Sequence, residues 1–236
     1  MPTQRNCIYS SLLAVAMLAG CGGGANLNAP PAPLSDTASL NGSRLALAVP
    51  ESPRFLARTP PGWKDTAVGA VGGMVGGAIA GAARASSQAD DGDRMVKEFG
   101  IVDPALAIGQ GLAMRLRATH RMTEVPAGTT PVAQAVDSVI AAAPKADMIL
   151  DVRSQVYGFN YMPKEPVIFF VMNTTWARLI DVRSHAVLAE ARCIPAKAPP
   201  TQTHDQLVAN NAEGIKVGLA TYVEPCIEQL AAKMKL

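Results

Sequence analysis

DMILDVRSQVY at Asp147–Tyr157, VIFFVMNTTWARLIDV at Val167–Val182 and AVLAEARCI at Ala186–Ile194 decide the fold of this chain. The first segment alternates apolar and polar residues, and the second is rich in β-branched and aromatic side chains, so each predicts a strand. Only Arg183–His185 separates the second segment from the third, and so short a polar gap predicts a hairpin. The region therefore predicts three consecutive strands.

Flanking segments predict helices and further strands. RLALAV at Arg44–Val49 and the stretch Arg121–Val125 are strand candidates. Asp103-Pro104 and Thr130-Pro131 are helix starts, with a capping side chain followed by proline at the first helical position. Thr203–Gln206 fits a capping box that opens the final helix. Strands and helices thus lie on both sides of the central region.

Apolar residues recur at helical spacing after each of these start signals. Pro144 is expected to end the second helix, and Pro225 to break the last one after Tyr222. The predicted buried faces are Ala105, Ile108, Gly109, Leu112, Ala113 and Leu116, then Val132, Ala135, Val136, Val139, Ile140 and Ala143, and finally Val208, Ala212, Ile215, Leu219, Tyr222, Cys226 and Leu230.

Leu18-Ala19-Gly20-Cys21 ends a short apolar run that follows Arg5. A positive residue, an apolar stretch too short to span a bilayer and small residues before a cut are the parts of a signal peptide, here residues 1–20. The stretch resembles the bacterial lipobox, and that resemblance implies that Cys21 becomes the acylated amino terminus. Gly22 stands where such lipoproteins carry an Asp that retains them at the inner membrane. The expected location is therefore the outer membrane, facing the periplasm, with the inner membrane as the alternative.

Residues 21–43 contain GGG and PPAP and have no hydrophobic period, which predicts a lipidated flexible tether. Residues 44–236 are long enough for one periplasmic domain with a real core. Lys and Arg number 21 against 19 Asp and Glu in the whole chain. So small an imbalance does not favour a nucleic-acid partner.

Four cysteines occur in the chain. Cys7 leaves with the signal peptide and Cys21 carries lipid, so Cys193 and Cys226 remain for the folded domain. In an oxidising compartment these two form a disulfide or stay as two buried thiols. The disulfide is the more economical interpretation.

AVGAVGGMVGGAIAGAA occupies residues 67–83, within a glycine-zipper insert predicted at 65–85. Gly69, Gly73, Gly77 and Gly81 recur every four residues, which on a helix leaves a groove without side chains. The segment resembles the glycine zippers of outer-membrane lipoproteins. Three alternatives stay open: it inserts in a membrane, it packs helix to helix in an oligomer, or it is a mobile connection. Ser86–Arg94 is predicted to be a solvated loop that ends this unit.

The predicted order is β-(glycine zipper)-α-β-α-β-β-β-α, an α/β (α+β) fold in which helices cover one face of a mixed sheet. This order, with RLALAV near its start and ADMILDV after the second helix, resembles the periplasmic domain of curli-export-type and envelope accessory lipoproteins. The resemblance covers residues 44–235 and rests on pattern. It implies an envelope role, and without paired amphipathic strands it does not imply a secretion channel.

The sequence contains no GxSxG, P-loop or HExxH motif. His120, His185 and His204 have no metal-ligand spacing among them. We therefore expect no catalytic residues, no metal and no cofactor. Tyr157, Phe159 and Tyr161 share one side of an extended run, and they form either a partner-binding edge or a cover for the core.

These observations predict a lipid-anchored, non-enzymatic binding or assembly module of the cell envelope. Its expected contacts are the membrane, through the lipid on Cys21, and a second copy or an envelope protein. The alternative is an accessory subunit of an envelope transport or secretion system.

Overall fold

A computed structural model of the chain has a mixed, seven-stranded sheet with a layer of helices on one face. The structure describes residues 32–34, 40–60, 74–127, 135–194 and 200–236, and within residues 74–85 it describes the backbone only. The strands are β1 Arg44–Ala48, β2 Leu56–Ala57, β3 Thr123–Val125, β4 Met148–Met162, β5 Glu165–Asp181, β6 Ala186–Cys193 and β7 Thr201–Thr203. The helices are α1 Met74–Phe99, α2 Ala105–His120, α3 Val136–Ala142, α4 His204–Ala220 and α5 Val223–Met234. The predicted fold class is confirmed.

The β4–β5 hairpin contains the two longest strands of the sheet, which pair antiparallel from Met148↔Asp181 to Met162↔Glu165. β6 pairs antiparallel with β5, which confirms the hairpin predicted at Arg183–His185. β4 continues beyond the predicted end at Tyr157, since β2 pairs with it there. A side chain at Gly158 would lie 2.2 Å from the Leu56 carbonyl oxygen, so only glycine permits this close approach.

β1 lies between β3 and β4 and runs parallel to both, so the order of the main path is β3-β1-β4-β5-β6. Asp147 joins the start of β4 to the start of β1. Its carboxylate accepts hydrogen bonds from the Arg44 backbone amide at 2.8 Å and from the Arg44 guanidinium at 2.8 and 3.0 Å. These bonds lower the pKa of Asp147 from 3.8 to about 2.

The helix layer of α2, α4 and α5 covers one face of the sheet. All six residues predicted for the inner face of α2 are buried. α3 lies on the opposite face, where Val139 and Ala143 pack against Ile149 and Ile180. The expectation that helices cover a single face is therefore wrong at this end of the sheet. The predicted start of this helix at Thr130-Pro131 lies outside the described residues.

Residues 86–94 belong to α1, so the solvated loop predicted at Ser86–Arg94 is wrong. The charged run lies on the outer face of a helix whose inner face has small residues. Ala89 is buried, and a side chain at Gly92 would lie 1.9 Å from the Phe55 carbonyl oxygen. Arg54 pairs with Asp90 and Asp93 and ties the helix to the segment before β2.

The predicted capping box is present, since Gln206 N donates to Thr203 Oγ1 and Thr203 N donates to Gln206 Oε1. The last helix breaks after Ala220, and Pro225 occupies the first turn of α5, where its missing amide is tolerated. α4 also contains a kink that the apolar period did not predict. Asn210, Asn211 and Ala212 adopt left-handed backbone angles there.

Cys193 at the end of β6 and Cys226 in α5 form the predicted disulfide, with their Cα atoms 5.3 Å apart. Both residues are buried. The bridge fixes the last long helix to the edge of the sheet.

We expect the double change Cys193→Ser and Cys226→Ser to lower the free energy of unfolding by about 3–4 kcal/mol, since it opens a loop of 33 residues. Urea denaturation followed by circular dichroism measures this change. A midpoint equal to that of the unchanged protein would show that the bridge does not stabilise the fold.

Candidate functional site

A short arm, Ala32–Leu34, is bound to the folded body ahead of β1. The Ala32 amide donates to the Glu190 carbonyl oxygen, and the Glu190 amide donates back, both at 2.9 Å. The Leu34 amide donates to the Met234 carbonyl oxygen at 3.0 Å. The arm therefore joins the outer edge of β6 to the C-terminal end of α5.

The arm corrects the prediction of a flexible tether over residues 21–43. Leu34 and Leu40 are buried in the main core. Apolar side chains set in a Pro-rich stretch suffice to dock it, although the stretch has no hydrophobic period. Ala32 is the eleventh residue after Cys21, so any free tether ends no later than the arm.

An apolar groove of about 360 Å³ lies between the start of α2 and the junction of α4 with α5. Val102 and Leu106 line one side and Val223 lines the other. Val102 is 70% exposed and Leu106 is 45% exposed, so large apolar surfaces face solvent here. Such clustered exposure is typical of binding surfaces. The groove has Lys216 at its rim.

Polar residues beneath the groove are held in structural bonds. The Asp103 carboxylate accepts the Ala105 amide at 2.8 Å and the Ser154 hydroxyl at 2.5 Å. Asn173 accepts from the same hydroxyl at 3.2 Å and donates to the Thr175 hydroxyl oxygen at 2.9 Å. Ser154 is therefore bonded to a carboxylate and an amide that hold α2 against the sheet.

A buried ion cluster lies on the sheet face opposite the main helix layer. Asp151 is fully buried and accepts from Arg153 Nη2 at 2.6 and 2.9 Å and from Arg178 Nε at 2.8 Å. Both guanidinium groups lie over Trp176, at 5.4 and 4.7 Å from its ring centre. Burial lowers the pKa of Arg178 despite the attraction of Asp151. The cluster thus relies on close pairing to hold charge in the interior.

Sequence reasoning missed this cluster. The signal was present, because Asp151 and Arg153 alternate with apolar residues in β4 and Arg178 follows Trp176 in β5. Alternation normally marks a polar face in contact with solvent. Here the register pairs Asp151 with Arg178 across the hairpin. The charged side chains of this face are therefore buried and paired, although the alternation predicts that they face solvent.

The aromatic residues proposed as a binding edge are mostly core residues. Tyr157 is 3% exposed and Phe159 is 1% exposed, and both pack edge to face on Phe55. The partner-binding prediction is therefore wrong for these two, since β2 and Phe55 cover them. Tyr161 is half-buried beside a polar depression with Arg58 and Gln88, and its binding role stays a prediction.

The histidines lie in three separate places. His120 is buried at the end of α2, His185 Nδ1 lies 2.7 Å from Asp137, and His204 packs against Phe159 and Phe169. Among the residues that the structure describes, no group of three metal-binding side chains comes together.

The remaining sequence predictions fall mostly outside the described residues. Cys21, Gly69 and Gly73 lie there, whereas Gly77 and Gly81 are helical in α1. No helix in the described part of the chain is both long and apolar enough to cross a membrane.

The fold and surfaces define an α+β domain with a mixed sheet, an edge-docked arm and an apolar groove. No protein-family model and no curated protein sequence matches the chain.

Solved structures that are similar at low identity include the following three. The hypothetical protein CT253 from Chlamydia trachomatis is 8% identical with a TM-score of 0.33, over 81% of this chain and 95% of that chain. A PelC dodecamer from Paraburkholderia phytofirmans is 13% identical with a TM-score of 0.25, over 84% and 95%. Lipoprotein GNA1162 from Neisseria meningitidis is 16% identical with a TM-score of 0.27, over 80% and 99%. Similarities with TM-scores this low do not bear on function.

Asp151→Asn is expected to lower the free energy of unfolding by about 3–5 kcal/mol, because it removes the buried carboxylate that two buried guanidinium groups share. Asp147→Asn is the matched control, since Asp147 also binds an arginine but its side chain is 40% exposed. Only a small loss is expected there. Equal losses in urea denaturation would contradict a special role for the buried cluster.

Burial raises the pKa of Tyr157 from 10.0 to about 12. Burial favours the neutral phenol of Tyr157. This residue therefore contributes fully to the free energy of unfolding below pH 10.0, and its contribution declines as the pH rises towards about 12. The difference in phenolate absorbance between the unchanged protein and Tyr157→Phe should have its midpoint near pH 12. A midpoint at the ordinary value would mean that Tyr157 is exposed after all.

Proposed function

We propose that this chain is a lipid-anchored, non-enzymatic module of the bacterial cell envelope that binds a protein partner. Cys21 carries the anchor, and the groove between α2, α4 and α5 receives the partner. The observation that carries the proposal is the arm, because it begins only eleven residues after Cys21 and is bonded to the folded body.

The arm supports an anchored role because it shortens the free tether. A lipid on Cys21 would hold the domain close to the bilayer, and the hydrogen bonds of Ala32 and Leu34 would limit its rotation. Several acyl chains on one cysteine give stable attachment, whereas a single chain binds only reversibly.

The bonding of the polar residues supports a role in binding over catalysis. Ser154 donates its hydroxyl hydrogen to Asp103 within a structural network. Asp151 is occupied by two guanidinium groups. Side chains fixed in this way hold elements together, which favours a role in binding.

The exposed apolar side chains favour a protein partner. The groove has a volume of about 360 Å³ and is lined mainly by aliphatic residues. Such a lining suits apolar side chains of another protein better than it suits a sugar or a nucleotide. Lys216 and Asp103 also line the groove, so a partner would meet one positive and one negative side chain there. The partner is therefore an envelope protein that presents an apolar segment.

Replacing Cys21 with Ala should release the protein from the membrane fraction, because the lipid is its proposed anchor. Cell fractionation and immunoblotting measure this.

If the variant remains with membranes, the glycine-zipper segment is itself an anchor. The further change of Gly73 and Gly77 to Leu should then alter how readily detergent extracts the protein from membranes. Unchanged detergent extraction would favour the interpretation of this segment as a simple connection.

Photo-cross-linking in intact envelopes tests the groove. A photoreactive residue at Leu106 should capture one defined partner, and Val102→Asp should abolish that product, because a carboxylate is poorly tolerated in an apolar contact. The matched control is a photoreactive residue at Val167, which is 57% exposed and does not line the groove.

The mass of the cross-linked product separates the alternatives. A product of twice the chain mass would identify a homo-oligomer, and a product with a transport protein would identify an accessory subunit. Equal capture at Leu106 and Val167, or capture unaffected by Val102→Asp, would contradict the groove as the binding site.

A further inference from the structure

A polar depression lies where the chain leaves β2, beside the end of β4 and the β4–β5 turn. It has a volume of about 390 Å³ and shares no described lining residue with the groove. We propose that it is a second binding site, which takes a small sugar carrying an anionic group, and that Arg58 selects the charge. The described lining residues are Arg58, Thr59, Gln88, Asn160, Tyr161 and Pro163.

Hydrogen bonds between separate parts of the chain fix this depression in place. β2 pairs with β4 at Phe159, and the Arg58 amide continues that pairing by donating to the Phe159 carbonyl oxygen at 3.1 Å. Gln88 Nε2 of α1 donates to the Thr59 carbonyl oxygen at 3.3 Å, which joins the helix to the end of the strand. The walls thus belong to a helix and two strands, so binding requires less ordering than it would on a loop.

The charge of Arg58 is available to a ligand. Its side chain is exposed and makes no ion pair within the described residues, whereas the exposed Arg54 and Arg117 each bind a carboxylate. No acidic residue is among the described lining residues. A guanidinium group presents a planar fork of N–H donors, which matches the oxygens of a carboxylate or a phosphate.

Acidic side chains near the depression are balanced by charges other than that of Arg58. On α1, two residues after Gln88, Asp90 pairs with Arg54. In the β4–β5 turn, Glu165 directly follows Lys164, whose charge opposes its own. The surroundings therefore leave a positive charge at Arg58, which favours an anion.

The other polar groups suit the hydroxyl groups of a sugar. Asn160 Oδ1 accepts the Tyr161 amide at 2.9 Å, which leaves the two N–H groups of Asn160 Nδ2 as donors. The Tyr161 hydroxyl can donate as well, and Gln88 keeps Oε1 as an acceptor. A hydroxyl group both donates and accepts, so it can use this mixed set, whereas a bare anion can use only the donors.

The size and apolar surface of the depression also suit a sugar ring. A volume of about 390 Å³ is near the lower end of the range for small-molecule sites. Tyr161 and Pro163 add apolar ring surface beside the polar groups, and a sugar has C–H faces that can contact it. The groove has a mainly aliphatic lining, so the two sites differ in the ligands that they suit.

Titration of the full chain with three sugars tests the inference, in a detergent that contains no sugar. Glucuronate carries a carboxylate, glucose 6-phosphate carries a phosphate and glucose carries neither. Isothermal titration calorimetry measures each Kd. At least one anionic sugar should bind about tenfold more tightly than glucose, as one charge-assisted hydrogen bond provides. The tighter of the two identifies the preferred anion, and added salt should reduce the difference from glucose.

Arg58→Gln should lower the affinity for the anionic sugar to that for glucose, because an uncharged amide replaces the guanidinium group. Arg121→Gln is the matched control and should change nothing. Arg121 is also exposed and makes no ion pair within the part of the chain that the structure describes, but it does not line the depression. Arg58→Lys keeps the charge without the planar fork and should retain part of the preference.

Four results would overturn the proposal. The first is that none of the three sugars binds, and the second is that glucose binds as tightly as the anionic sugars. The third is that the preference persists in Arg58→Gln. The fourth is an equal loss in Arg58→Gln and Arg121→Gln, which would indicate a general attraction to surface charge. None of these results bears on the groove or on the anchor at Cys21, because the inference depends on neither.

Discussion

The antiparallel pairing of β4 with β5 is the constraint on which the rest of the structure depends. β1 and β2 add to the free side of β4, and β6 and β7 add to the free side of β5. A shift of this pairing by one residue would exchange the two faces of the hairpin. Leu150 and Val152 would then leave the main core, and every element that packs against them would lose its contact surface.

The buried charges make that register specific. Asp151 meets Arg178 directly across the hairpin and Arg153 two residues along β4. In any other register Arg178 would be separated from Asp151, at a cost of several kcal/mol, whereas Arg153 on the same strand would keep the carboxylate. We infer that the ion cluster contributes more to selecting one pairing than to net stability. The apolar helix layer on the other face then has a fixed sheet to pack against.

The sequence predicted the fold class because its signals were local. The strand periods, the β5–β6 hairpin, the capping box at Thr203 and the inner face of α2 all depend on residues close together in the chain. The features that it missed depend on contacts made at a distance. Ser86–Arg94 is helical because Gly92 fits against Phe55, and Tyr157 and Phe159 are buried because β2 covers them.

The functional surfaces were harder to predict than the fold for the same reason. The groove forms where Val102 and Leu106 meet residues more than a hundred positions later, and no motif marks it. The arm resembles a linker in composition, yet two main-chain bonds to Glu190 dock it. Among these functional features only the lipobox at Cys21 is a compact motif, and the anchor that it predicts stays a prediction.

Mass spectrometry of the membrane-extracted protein tests the central claim most directly, because the proposed function requires a lipid anchor at Cys21. The account predicts a mature chain whose first residue is Cys21 and whose amino-terminal peptide carries the added mass of a diacylglyceryl group and an acyl chain. A mature chain that begins at another residue, or that begins at Cys21 without added mass, would contradict it.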